Sequence, residues 1–249
     1  MATRAIETRG IPGLHTVPSL SDLSQSSQMY NQLKDDTEQP DVSEDHLKNL
    51  AEIFFRYNVQ TKFGLHLIHG HFKLERDMVM LGKSVQQPSG CWTKPTDVEE
   101  VNLEDIHGHI FALAGDGRFV AYEYRERPPF DMADVKPEFF HDIIQYLRSN
   151  NLENLLGLQV LSNEPQEKLA EFVLGREAGT VMLRESEANY GRISRVTGWS
   201  FEEKDGVISC KGNDVHAEMQ NGNHRIFQDS KPLPDVHELR MVLKEAGIF

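Results

Sequence analysis

The strongest constraint on this chain is how often a short, strand-like apolar run meets a tight-turn dipeptide. Asp116-Gly117, Asp205-Gly206 and Asn221-Gly222 each separate two such runs. Asp-Gly and Asn-Gly accept the positive φ values of two-residue hairpin turns at little cost, so each is a hairpin signal. His107–Arg125 reads as one hairpin, WSFEEK-DG-VISC at 199–210 as a second and HAEMQ-NG-NHRIF at 216–227 as a third. FGLHLIHGHFKLERDMVMLG (63–82), with its polar break at ERD, reads as a fourth. GLQVLS (157–162) and TVMLRES (180–186) are strand-like, with a short helix expected between them that ends near Gly175.

Helical periodicity occurs in three places. Asp41 and Glu44 have capping-box spacing ahead of Leu47, Leu50, Ala51 and Phe54, which predicts a helix over about 43–57. Pro137 precedes the stripe Phe140, Ile143, Ile144 and Leu147, and residues 235–246 close the chain with Gly247 at the C-terminal cap. Residues 1–42 are Ser/Gln/Asp-rich with scattered apolar anchors, so they read as a polar arm holding at most one short helix around 20–33. The expected organisation is this arm followed by one α+β domain at 43–249, mainly antiparallel sheet built from hairpins with flanking helices. A closed cupin-like β-barrel is the alternative.

Composition limits the function classes. The 249 residues carry 26 Lys and Arg against 39 Asp and Glu, a formal charge of −13. Such a surface repels phosphate backbones and anionic leaflets, so no nucleic-acid or membrane partner is expected. Two cysteines, Cys91 and Cys210, are too few for a disulfide scaffold, and no segment has the length of an apolar span. With no signal-like apolar core near Met1, a cytoplasmic location is the expectation. There is no P-loop, GxGxxG, GxSxG or HExxH.

The positive oddity is histidine. Of eleven, His66, His69, His71, His107 and His109 lie within one stretch of 44 residues. On a strand, residues two apart share a face, so His69 and His71 project together and can hold a divalent ion, while His66 falls on the other face. The plain alternative is a pair of solvated imidazoles, and for His107 and His109, which follow EEVNLED, a polar loop. A third ligand is available from the last hairpin, where regular pairing sets His216 and His224 on opposite faces, so one or the other would serve. Cys210 is a further candidate, though a lone cysteine is commonly a small buried apolar group.

His69-x-His71, Glu75 and Gly82 have the spacing of the first cupin motif, in which two histidines and the glutamate ligate one ion. The later GNDVHAEMQN (212–221) departs from the second motif, with no proline and with its histidine and asparagine each one place late. The runs FRYNVQTKFGLHLIHGHF, GDGRFVAYEYRERPPF and TGWSFEEKDGVISC…NGNH resemble a group of fungal proteins that includes the cyclopenases. These are zinc lyases described as hemocyanin-like, a label that implies an all-α fold with histidines on paired helices. The resemblance covers roughly residues 50–225. It implies conversion of a cyclopenin-type benzodiazepinedione to a viridicatin-type quinolone with loss of methyl isocyanate. Zinc (alternatively iron) on His69, His71 and His216 or His224 would act as Lewis acid, and Glu75 or Glu123 would carry the proton. The rival readings are a cupin-type metal enzyme acting on another small molecule and a binding or scaffold protein with no metal.

Overall fold

The computed structural model describes residues 10–127, 131–161, 167–227 and 231–249. Ten strands close into one mixed barrel with few helices, in the order β1-β6-β4-β5-β2-β3-β8-β7-β10-β9. They are β1 (Phe63–Leu67), β2 (Met78–Val85), β3 (Gly90–Asp97), β4 (Ile106–Leu113), β5 (Phe119–Glu126), β6 (Leu156–Val160), β7 (Leu169–Gly175), β8 (Gly179–Arg184), β9 (Arg192–Lys204) and β10 (Val207–Glu218). Pairing of His66 with Gly198 and Leu65 with Trp199 closes the ring between β1 and β9. Two contacts, β2 with β5 and β7 with β10, are parallel. The barrel agrees with the β-barrel alternative and leaves no room for an all-α hemocyanin-like fold.

The pattern of the wall explains how this lean composition folds. On β10, Val215 and Ala217 alternate with Asp214 and His216, and on β7, Ala170 and Phe172 flank Glu171. The apolar members pack under α4 (Val236–Glu245), against Leu239 and Leu243. Phe63 and Leu65 on β1 pack with Phe54 of α2 (Glu44–Arg56) and Phe139 of α3 (Pro137–Ser149), with the Phe63 and Phe139 rings stacked at 5.5 Å. The wall therefore buries its apolar face outward, beneath helices, and turns a polar face inward. Truncating a fully buried aromatic such as Phe54 costs about 3–5 kcal/mol at sites of this kind.

Several expectations are corrected. The DG hairpins at 106–126 and 192–218 form, but 63–82 is not a hairpin. β1 pairs with β6 and β9, while β2 pairs with β3 and β5. After Leu67 the chain leaves the sheet because α1 (Leu20–Gln32) and the segment behind it take it up: Gly70 N–H donates to Lys34 O at 2.8 Å. Asn221-Gly222 does turn, but β10 is already flanked by β9 and β7, so the returning segment crosses to β7, where Val173 bridges Arg225. The helix expected before Gly175 is strand β7, with residues 162–166 outside the described set. Ser43, not Asp41, caps α2. The polar segment 1–42 contributes core residues, since Leu23 and Tyr30 of α1 are fully buried. His107 and His109 lie in β4, both buried, rather than in a loop.

Candidate metal centre

Four side chains from three parts of the chain converge on one point. His69 and His71 come from the irregular segment after β1, and Glu171 and His216 sit side by side on the parallel pair β7 and β10. One ligand atom from each lies within 4.8 Å of all the others. His216 Nε2 is 3.0 Å from Glu171 Oε2 and 3.0 Å from His69 Nε2. His71 Nε2 is 3.4 Å from Glu171 Oε1, and His69 Nε2 is 3.9 Å from Glu171 Oε2.

The outer contacts orient the rings. His69 Nδ1–H donates to Leu67 O at 2.7 Å, which leaves Nε2 as a lone pair facing the cluster. His216 Nδ1 is 3.1 Å from Asp36 Oδ2. Asp36 is in turn fixed by Arg195 on β9, whose guanidinium donates to the carbonyls of Asp36, Gln39 and Pro40. Arg225 holds the His71 carbonyl at 3.1 Å.

Electrostatics follow from burial and proximity. Burial pushes His71 down to about 4. Burial would lower His216 as well, but hydrogen bonds and charges from Asp36 and Glu171 outweigh it and hold the imidazole up to about 9. Burial opposes ionisation of Glu171, yet the imidazoles of His71, His216 and His69 keep its carboxyl well below the usual range. The metal-free cluster thus carries a proton on His216, a positive charge that a metal ion would replace.

The residues fit a metal. His71 Nε2 is buried with no hydrogen-bond partner, and His69 Nε2 is a second lone pair aimed at the same point. Three imidazoles and one carboxylate, each oriented from behind, suit zinc, iron or another first-row ion rather than calcium or magnesium, which prefer all-oxygen sites. The cluster can hold a metal ion; its donors do not fix which one.

No family model, curated protein or solved structure matches the chain.

The sequence candidates are distributed as follows. His69, His71 and His216 come together in the cluster. His224 stacks on His216 with ring centroids 4.5 Å apart, but its Nδ1 is committed to Ala217 O at 2.8 Å and it stands outside the four. The two histidines are neighbours because the last hairpin does not form. Glu75, expected as ligand or proton carrier, is on the surface and paired with Arg176. Its place is taken by Glu171, 96 residues downstream. Sequence reasoning missed Glu171 because the run LAEFVLG was read as the end of a helix; a lone acid within an otherwise apolar strand was the available signal. Asp36 lies in the segment whose composition reads as a polar arm, so no local signal singles it out. Glu123 lies on the interior face of β5, where burial, followed by the charge of Glu171, pushes its carboxyl up to about 8. His66 stacks on His69 at 5.4 Å and stands 3.9 Å from Asp214, inside the barrel but not among the four. Cys210 is half-buried, its thiol pushed up to about 11 by burial, and is not part of the cluster.

Proposed function

We propose that this chain is a metal-dependent lyase acting on a small cyclic amide, of the kind that the resemblance to cyclopenases implies. The observation that carries the metal-dependent part is the buried set His69, His71, Glu171 and His216, with one ligand atom from each within 4.8 Å of all the others. The lyase chemistry rests on the sequence resemblance.

When bound there, the metal supplies a Lewis acid that polarises a carbonyl or epoxide oxygen. The chain does the rest. Asp36 and the Leu67 carbonyl hold His216 and His69 in the ligating orientation. Glu123, kept protonated at neutral pH, holds a proton inside the barrel and is the candidate general acid. The wall under α2, α3 and α4 keeps bulk water away from the cluster, whose histidine and glutamate members are each less than a tenth exposed.

Elemental analysis of the purified chain tests the reading. About one equivalent of zinc is expected, falling below about a tenth in Glu171→Gln and His216→Ala, together with release of methyl isocyanate from a cyclopenin-type substrate by wild type alone. Wild-type protein that takes up no zinc, and whose melting temperature a chelator does not change, would overturn it. One observation favours a second reading: three histidines and a carboxylate inside a closed barrel also suit an iron-dependent, cupin-type enzyme. One equivalent of iron, with no lyase turnover, would select it.

A further inference from the structure

A second feature of the interior is not absorbed by the metal centre. A polar cavity of about 400 Å³ opens between β2, β3, β5, β6, β8 and the middle of β10, and Asp214 forms part of its lining. Three guanidiniums line it: Arg125, Arg127 and Arg184. Arg184 Nε is 3.1 Å from Glu167, and among the described residues the Arg127 guanidinium donates to the neutral hydroxyl of Ser84, at 3.0 Å. Among the described residues, Arg125 makes no hydrogen bond or ion pair, and its Nε is buried with no acceptor. Asp214 does not serve it by contact, because its two oxygens accept from Gln159 Nε2 at 2.6 Å and Asn213 Nδ2 at 3.3 Å.

The space around Arg125 is built into the strand register. Gly82 stands opposite Arg125 on β2, and a Cβ there would come within 3.3 Å of Arg125 Cγ and 2.8 Å of Cys91 Sγ. Glycine at 82 leaves room for the arginine stem. An unpaired guanidinium, partly buried within a chain of net charge −13, is costly unless an anion completes it.

We infer that this cavity is a binding site for a small organic monocarboxylate, with Arg125 as its principal partner and Arg127 beside it. Charge decides between anions. Arg125 is the lining guanidinium with no hydrogen bond or ion pair among the described residues, and a monoanion matches its single charge where a dianionic phosphate exceeds it. Leu161, Leu169 and Val160 offer an apolar wall for the body of the acid. Planar carboxylates also accept the two parallel N–H donors of a guanidinium. The cavity approaches the metal centre through Asp214, which lies 3.9 Å from His66, whose ring stacks on that of His69. The inference does not rest on the lyase reading.

Titration with benzoate, benzamide and phenyl phosphate tests it, followed by calorimetry and ligand-observed NMR at pH 7.5 on metal-free and zinc-loaded full-length chain. Benzoate is expected to bind at least tenfold more tightly than benzamide, its neutral isostere, and more tightly than phenyl phosphate, with affinities within twofold in the two metal states. Arg125→Gln should weaken benzoate at least tenfold and abolish its advantage over benzamide. Should that variant not fold, Arg127→Gln is expected to weaken benzoate three- to tenfold. Equal binding of benzamide, tighter binding of phenyl phosphate, indifference of benzoate to a folded Arg125→Gln chain, or benzoate binding that requires zinc would each overturn the assignment. The zinc content is read separately, so a failure here leaves the metal reading to its own test.

Discussion

Replacing Asp36 by Asn removes one charge while keeping the shape of the side chain, and it isolates the part of the metal centre that does not touch the metal. The Asp36 carboxylate lies 3.1 Å from His216 Nδ1 in a residue that is 7% exposed, so the pair is shielded from solvent on nearly all sides. Losing an oriented carboxylate behind a ligating imidazole typically costs 10–100-fold in metal affinity, or about 1.4–2.8 kcal/mol. Asp36→Asn should therefore still bind one equivalent of zinc, with a dissociation constant raised by that factor in a competitive chelator titration at pH 7.5. Two results would refute the reasoning. An unchanged affinity would mean that Asp36 does not orient His216. A loss as complete as in His216→Ala would mean that Asp36 ligates the ion directly, through the neighbouring set of Asp35, Asp36 and His71 that also lies within ligating range.

Other perturbations have distinct expected outcomes. Glu123, pushed up to about 8 from 4.5, favours its protonated form in the fold, so its contribution to stability is full below about 4.5 and is lost as pH rises through about 8. Urea unfolding of the metal-free chain should show wild type losing on the order of 4–5 kcal/mol more than Glu123→Gln between pH 4.5 and 8.5, and parallel profiles would refute that placement. Glu75→Ala removes only an exposed ion pair with Arg176, so zinc content should be unchanged and stability should fall by less than about 1 kcal/mol; loss of zinc would return Glu75 to the ligand set. Phe54→Ala, at a ring packed against those of Phe139 and Phe201, should lower unfolding free energy by about 3–5 kcal/mol in chemical denaturation.

What could be read in the sequence follows how local each signal is. Pro137 and the apolar stripe behind it produce α3 because both act within a few turns of the chain. Asp116-Gly117 and Asp205-Gly206 likewise produce the two hairpins, because turn chemistry needs no distant partner. The same logic fails at Asn221-Gly222. Whether the strand after a turn pairs backward depends on whether its partner still has a free edge, and β10 has none. The closed ring is equally non-local, since it depends on β1 meeting β9 across more than 130 residues. His69 and His71 were visible as a metal-ligand spacing, yet for a mistaken reason. They lie beyond the end of β1, and their rings converge because Leu67 O and Arg225 fix the segment. Glu171 and Asp36 carried no motif at all. Each becomes a functional candidate only when β7 is seen beside β10 and when Arg195 fastens residues 36–40 to the wall.

The inverted wall also bears on why a site would be kept at all. A barrel whose inward positions include His66, Gln159, Glu171, Asp214 and His216 gives up the apolar interior that would otherwise close it. Its stability must then come from the outer layer, where Phe54, Phe63, Phe139, Leu239 and Leu243 bury the other face of the same strands. Every buried polar group inside must find a partner or cost about 1–3 kcal/mol. Among the buried side-chain atoms without a hydrogen-bond partner, Nε2 of His71 and Nε of Arg125 are the pair with opposite chemistry, a ring nitrogen of the metal cluster and a guanidinium donor of the cavity. They stand at separate points of one polar interior, and they ask for opposite things: a cation where lone pairs converge, an anion where a guanidinium has no carboxylate. If both are filled, zinc and a monocarboxylate should each raise the melting temperature, and their increments should be close to additive because no side chain serves both as metal ligand and as carboxylate partner. Strongly non-additive increments would instead mean that the acid reaches the metal, merging the two sites into one.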